Sequence, residues 1–160
     1  MMTNRYFEEL KKVGEAWEQA RVERKERKER IIEEYGWDSE ELKAWRTEDE
    51  AAKFPYSQGA VKAYRAWAES NSRNEDEVEM NDFLWEKEVK DFIDTLRKAG
   101  IETFVYTNES TACMENLHDF AAEGCTLMGL CKITRKETRW GAEEPYEVNG
   151  IRFSTKGVQA

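Results

Sequence analysis

The sequence is poor in the residues that most chemistry requires and contains no long apolar run. It has one histidine, two prolines and three cysteines in 160 residues. A bilayer-spanning helix needs about 18 to 20 mostly apolar residues, so no membrane span is predicted. The first residues, MMTNRYFEELKK, also lack the apolar stretch of a secretory signal. We therefore expect a cytoplasmic protein in a reducing compartment, with Cys113, Cys125 and Cys131 as free thiols.

The few candidate catalytic and metal-binding side chains are badly spaced. His118 follows Cys113 by five positions on one predicted helix, so the two side chains diverge by roughly 140°. The cysteines, with eleven and then five residues between them, match no zinc pattern. We predict no metal site, no cofactor and no enzymatic activity.

One strand-to-helix turn has the residue types of an anion site. In YTNESTA (106–112), free N–H groups with Asn108, Ser110 and Thr111 could hold an anion. No glycine-rich loop precedes the helix, and helix capping by Asn108 or Ser110 explains the same residues. Capping is the preferred interpretation.

The N-terminal half is predicted to be helical and highly charged. Apolar residues at three- and four-residue spacing predict one long helix from residue 3 to 35, which Gly36 ends. Its middle, RVERKERKER (21–30), is typical of a solvated helix with side-chain ion pairs. A short helix through Trp45 and a third helix capped by Ser57 follow, and residues 70–80 are predicted to be a loop.

The C-terminal half combines helices with strands. The pattern predicts a helix from Asn81 or Asp82 to Gly100, a strand over 101–107, a second helix, and strands over 125–140 and 145–155 joined by GAEE. We expect an α+β protein, with N-terminal helices over residues 1–80. Residues 81–160 would form a small α-β-α-β-β domain. Its three-stranded mixed sheet would have parallel first and second strands and an antiparallel final hairpin.

Negative charge is concentrated ahead of the predicted C-terminal domain. The chain carries a net charge of −9, and residues 69–94 hold ten carboxylates against three cations. One interpretation is a solvated loop followed by a helix start. The other is a row of carboxylates that mimics a nucleic-acid backbone and binds a basic groove. The candidate partner-binding residues are Glu75, Asp76, Glu77, Glu79, Asp82 and Glu86.

A basic hairpin supports a different hypothesis. Cations near Trp140 could contact phosphates, although the net charge opposes this and cations also protect sheet edges from aggregation. The candidate nucleic-acid contacts are Lys132, Arg135, Lys136, Arg139 and Arg152, with a contribution from segment 21–30.

The C-terminal sequence also resembles known proteins. FIDTLRKAGIETFVYTNESTACMENLHDFAAEGCTLMGL, TRKETRWG and GIRF, over roughly residues 86–154, are similar to small accessory proteins of bacterial mobile elements and phages. The resemblance implies a setting that includes anti-CRISPR proteins, and it assigns no functional residue.

Two functional hypotheses follow. The first is a non-enzymatic inhibitor of a nucleic-acid-handling enzyme, an anti-CRISPR protein that blocks a CRISPR effector nuclease through its acidic surface. The alternative is a nucleic-acid-binding accessory protein of a mobile element that uses the hairpin. The apolar stripe of the long helix suits either a dimer or docking on the domain.

Overall fold

The structure, a computed structural model, describes residues 3–135 and 145–157. The chain forms two compact units: unit 1 is Met1–Phe7 with Tyr56–Ala160, and unit 2 is Glu8–Pro55. These bounds differ from the predicted division at residue 80. In chain order the described elements are α1 (Arg5–Tyr35), α2 (Glu40–Ala51), α3 (Gln58–Ser72), β1 (Val78–Met80), α4 (Glu86–Lys98), β2 (Thr103–Tyr106), α5 (Cys113–Ala122), β3 (Thr126–Arg135) and β4 (Tyr146–Ser154).

The α+β class and the N-terminal helices are confirmed. The long helix is α1, about 45 Å in length, and Gly36 follows it with a φ of +86°, a conformation that favours glycine. Ser39 and Ser57 cap α2 and α3 by accepting backbone N–H bonds. Helix α2 continues six residues beyond the predicted end at Trp45.

Four strands form the sheet, in the order β1-β2-β4-β3. β4 is antiparallel to both β2 and β3, so the antiparallel hairpin is confirmed and β2 runs in the same direction as β3. The predicted loop over 70–80 is wrong, because α3 extends to Ser72 and β1 pairs in parallel with β2. The segment Val78-Glu79-Met80 alternates apolar and charged residues, but it is too short to be recognised among so many carboxylates.

The two faces of the sheet differ in chemistry. On one face, Phe104 and Phe153 stack with ring centroids 5.6 Å apart and contact Phe120 of α5. Phe92 of α4 also meets Phe104 edge-on. Because side chains alternate along a strand, the register Glu79–Val105–Arg152 lies on the opposite face. The first face therefore supplies the aromatic core, and the second carries charge.

Two predicted helix starts are wrong. Helix α4 begins after Trp85, not at Asn81 or Asp82, because residues 81–85 bond to other elements in a non-helical conformation. Helix α5 begins after Ala112 without a side-chain cap. Asn108 instead accepts hydrogen bonds from the backbone and side chain of Ser110, which closes a local turn.

In unit 2, side chains join α1 to the segment containing α2. The indole N–H of Trp45 donates to the carbonyl oxygen of Arg24 at 2.8 Å. Trp17 meets Phe54 edge-on, with ring centroids 5.1 Å apart. Two tryptophans are therefore fixed along α1, beside the basic segment 21–30.

Candidate functional site

Three of the six predicted partner-binding carboxylates are paired with arginines of the chain itself. Glu75 bonds to Arg73, which follows α3, at 2.8 Å. Glu77 accepts two bonds from Arg152 of β4, at 2.9 and 2.5 Å. Glu79 of β1 pairs with Arg73 and with Arg135 of β3. These ion pairs form what we call the charge cluster: Arg73, Glu75, Glu77, Glu79, Arg135 and Arg152.

Glu79 is the most enclosed member of the charge cluster. Its side chain has no exposed surface. One carboxylate oxygen lies 3.0 Å from Nη2 of Arg73, and the other accepts from Arg135 and, at 2.7 Å, from the hydroxyl of Thr107. Its backbone N–H donates to Oγ of Ser70 at 2.9 Å. A buried carboxylate is tolerated only with such complete pairing, so Glu79 is a structural element of the sheet.

The charge cluster also raises the pKa values of two of its arginines. Burial by itself would lower the pKa of Arg135, but hydrogen bonds with Glu79 and Tyr146 outweigh this effect and raise the pKa. The hydrogen bond with Glu77 likewise raises the pKa of Arg152. Both guanidiniums are therefore held in the charged state by partners within unit 1.

The other predicted carboxylates lie closer to solvent. Asp76 and Glu86 are exposed, and Glu86 lies in the first turn of α4. Asp82 is half-buried, and its carboxylate accepts the backbone N–H of Phe83 at 2.8 Å. The structure therefore does not present all six carboxylates as one solvent-facing row.

The described cations of the alternative hairpin site are also paired within the protein. Lys132 of β3 lies 3.5 Å from Glu147 of β4, and Arg135 and Arg152 belong to the charge cluster. The described hairpin cations are therefore each paired with a carboxylate. Lys136 and Arg139 lie outside the described residues.

An aromatic side chain near α4 has no such internal role. The indole of Trp85 is 60% exposed, and its ring meets Phe83 edge-on with centroids 5.1 Å apart. Lys62 fixes Phe83, with its ammonium 4.9 Å from the ring centroid and 2.9 Å from the backbone carbonyl. Lys62 in turn forms a buried ion pair with Glu88 of α4 at 2.7 Å.

The backbone beside Trp85 is held by amide side chains. Asn116 of α5 is buried and bonds to both the N–H and the carbonyl oxygen of Leu84, at 3.0 and 2.6 Å. It also accepts from the hydroxyl of Tyr106 at 2.7 Å. Asn108 donates to the carbonyl oxygen of Asn81 at 3.0 Å. Residues 81–85, which we call the tethered segment, thus present Trp85 from a fixed backbone.

Sequence analysis predicted neither the hydrogen-bonding role of the buried Asn116 nor the exposure of Trp85. Asn116 lies on the inward face of α5, where one polar residue among apolar neighbours indicates a buried hydrogen-bonding role. Trp85 stands four and seven positions before Val89 and Phe92, at the spacing of an apolar helix stripe, and this spacing by itself predicts a core position. The later start of α4 removes it from that stripe.

The cysteines and the histidine show no common site. The three cysteines are unbridged, and burial raises the pKa of Cys125 to about 11, which disfavours its thiolate. The His118 ring is exposed and lies 3.4 Å from Asp119. Over residues 3–135 and 145–157 there is no group of three or more metal-ligating side chains. In the same described ranges, no helix is long and apolar enough to cross a membrane.

Comparison with known proteins gives a family match that lies within unit 1. No curated protein and no solved structure matches the chain. One family model matches residues 62–155, more than half of the chain, from within α3 to the residue after β4. This range includes the charge cluster and the tethered segment, whereas unit 2 lies outside it. The chain belongs to the family described as domain of unknown function DUF7698.

Proposed function

We propose that the protein is a non-enzymatic inhibitor that binds a basic, nucleic-acid-handling protein through Trp85 and the neighbouring carboxylates Asp82 and Glu86. A CRISPR effector nuclease is the partner class to test first, because of the resemblance to accessory proteins of mobile elements. The observation that carries the proposal is an exposed tryptophan on a backbone fixed from three sides.

Exposed tryptophan on a rigid support is typical of an interface anchor. Tryptophan is among the residues most enriched at binding hot spots, and leaving its apolar surface in water has a free-energy cost. The backbone of the tethered segment is already ordered in the free protein, because Asn116, Asn108 and Lys62 form hydrogen bonds with it. A partner would therefore bind without first ordering this backbone.

The charge beside Trp85 favours a basic partner. Glu86 is exposed and Asp82 is half-exposed, so both can add electrostatic attraction at the rim of the contact. The charge cluster contributes nothing to this attraction, because its carboxylates are paired internally. The proposed surface is thus smaller than a row of six carboxylates and depends on an aromatic centre.

The test is inhibition of DNA cleavage by purified CRISPR effector nucleases, with the full chain and two tryptophan variants. Trp85→Ser should weaken inhibition by about 2 kcal/mol or more, roughly thirtyfold in affinity. Trp37→Ser is the matched control, because Trp37 is 66% exposed but lies in unit 2, between α1 and α2. It should leave inhibition unchanged.

A charge reversal beside Trp85 provides a second test of the proposed surface. Glu86→Lys should slow association and reduce the salt dependence of inhibition. Equal inhibition by the wild type and by Trp85→Ser would reject the proposed surface. Failure of the wild type against every effector class in the panel would reject the inhibitor function.

A further inference from the structure

We propose that a groove in unit 2 binds the phosphate backbone of single-stranded nucleic acid. The groove is a cavity of about 360 Å³ between α1 and α2. Its lining brings together four cations and two tryptophans: Trp17, Arg21, Arg24, Lys25, Lys28 and Trp45. This inference is independent of the proposed function of unit 1, and the groove lies outside the region that the family model matches.

The four cations follow one side of α1. They stand at positions 21, 24, 25 and 28, so the pairs three or four residues apart have Cβ atoms about 5 to 6 Å apart, and the row extends for about two turns. A linear array of positive charge complements a linear array of phosphates better than it complements a single small anion. The basic segment 21–30 therefore presents a linear row of cations only when it is folded as a helix.

The groove keeps uncompensated positive charge. Arg21 pairs with the exposed Glu18, and Arg24 lies 3.3 Å from Asp49, the one carboxylate in the groove lining. Lys25 and Lys28 form no ion pair with any residue in 3–135 or 145–157. Two ammonium groups of the groove are thus available to an anionic ligand.

The tryptophans hold the cations in place and add apolar surface. The Lys28 ammonium lies 5.0 Å from the centroid of the Trp45 ring, and the Arg24 guanidinium lies 6.0 Å from that of Trp17. Trp45 is buried, whereas Trp17 is half-exposed. Grooves that combine cations with aromatic side chains are the usual binding sites for single strands, because they contact phosphates and bases together.

The experiment is fluorescence anisotropy of the full chain with a labelled mixed-sequence DNA strand of about 20 nucleotides, longer than the site of one small binding module. We expect binding that weakens as salt rises from about 50 to about 200 mM. The double charge reversal K25E/K28E should lower affinity at least about tenfold and reduce the salt slope by about one or more.

The matched control is K11E/K12E, which makes the same charge change on exposed lysines of the same helix outside the groove. It should alter affinity by no more than about twofold, because it changes only the long-range field. K25Q/K28Q tests the site without adding repulsion, and its affinity should fall between those of the wild type and K25E/K28E. Circular dichroism checks that each variant keeps its helices.

Four results would overturn the inference. The first three are no binding by the wild type at about 50 mM salt, an equal loss of affinity in the groove and control variants, and equally effective competition by polyglutamate. Tighter binding of a duplex than of the single strand would also contradict it. Loss of nuclease inhibition in Trp85→Ser with unchanged DNA binding would separate this site from the surface proposed for unit 1.

Discussion

The two units differ in how completely the cations of their charged surfaces are paired. In unit 1, Arg73, Arg135 and Arg152 each pair with a glutamate. In unit 2, Lys25 and Lys28 line a groove and pair with no carboxylate in the described ranges. The difference shows that a count of charges along a segment does not predict its surface charge. Pairing across the fold decides which charges a partner can meet.

The largest effect is expected from removing the central carboxylate of unit 1. Glu79→Gln leaves the guanidiniums of Arg73 and Arg135, whose side chains are 12% and 19% exposed, without their shared counter-charge. We expect the free energy of unfolding to fall by about 3 to 5 kcal/mol, as for other broken buried pairs. Denaturant unfolding measures the loss, and hydrogen exchange should speed up most in β1 and β2.

Asp76→Asn is the control for that substitution, because it removes a carboxylate three residues away that is exposed. It should change stability by no more than about 0.5 kcal/mol. Similar losses in Glu79→Gln and Asp76→Asn would mean that the charge cluster is no more important than exposed charge, and the contrast between the units would fail.

A second prediction compares packing in the two units through one glycine in each. A Cβ atom on Gly59 of α3 would lie 2.3 Å from the carbonyl oxygen of Glu88, so α3 or α4 would have to move. Gly59→Ala should destabilise the protein by about 1 to 3 kcal/mol.

Gly14→Ala should stabilise the protein, which is the opposite of the effect expected for Gly59→Ala. In α1 the added Cβ atom would come no closer than 3.8 Å to Phe54, which is ordinary contact. Alanine also favours the helix over glycine by about 0.8 to 1 kcal/mol. Thermal unfolding of both variants provides the measurement, and a stabilised Gly59→Ala would show that α3 and α4 are not closely packed.

The smallest effect is expected for an exposed ion pair of unit 2. Arg27 and Glu48 are 2.7 Å apart with side chains 43% and 57% exposed. Water and salt screen such a pair, so Glu48→Gln should cost less than about 1 kcal/mol and the cost should shrink in high salt. A salt-independent loss comparable to that of Glu79→Gln would contradict this assignment.

Much of the fold was predictable because the signals were local. The apolar stripe of α1 and the stop at Gly36 predicted the long helix, and the β-branched and aromatic run at 101–107 predicted β2. The short strand β1 was not predicted, since its hydrogen bonds are made with β2, some 26 residues later in the chain. The start of α4 was misplaced because a distant side chain, Asn116, holds the backbone of Leu84.

The candidate sites were less predictable than the fold. Composition identified the acidic stretch and the basic segment 21–30, but Glu77 and Glu79 pair with Arg152 and Arg135, which are distant in sequence. The groove required Trp45 and Asp49 from α2 to be placed beside α1. Neither arrangement has a sequence motif, because each depends on the packing of separate elements.

By itself the sequence determined the helices with clear apolar stripes, their glycine and serine ends, and the excess of carboxylates, because these depend on residues close together in the chain. Only the tertiary structure decided that Glu79 is buried between two arginines, that Trp85 is exposed, and that Lys25 and Lys28 remain unpaired in the described ranges. The physical reason is that burial and ion pairing depend on distances across the fold, which neighbouring residues do not specify.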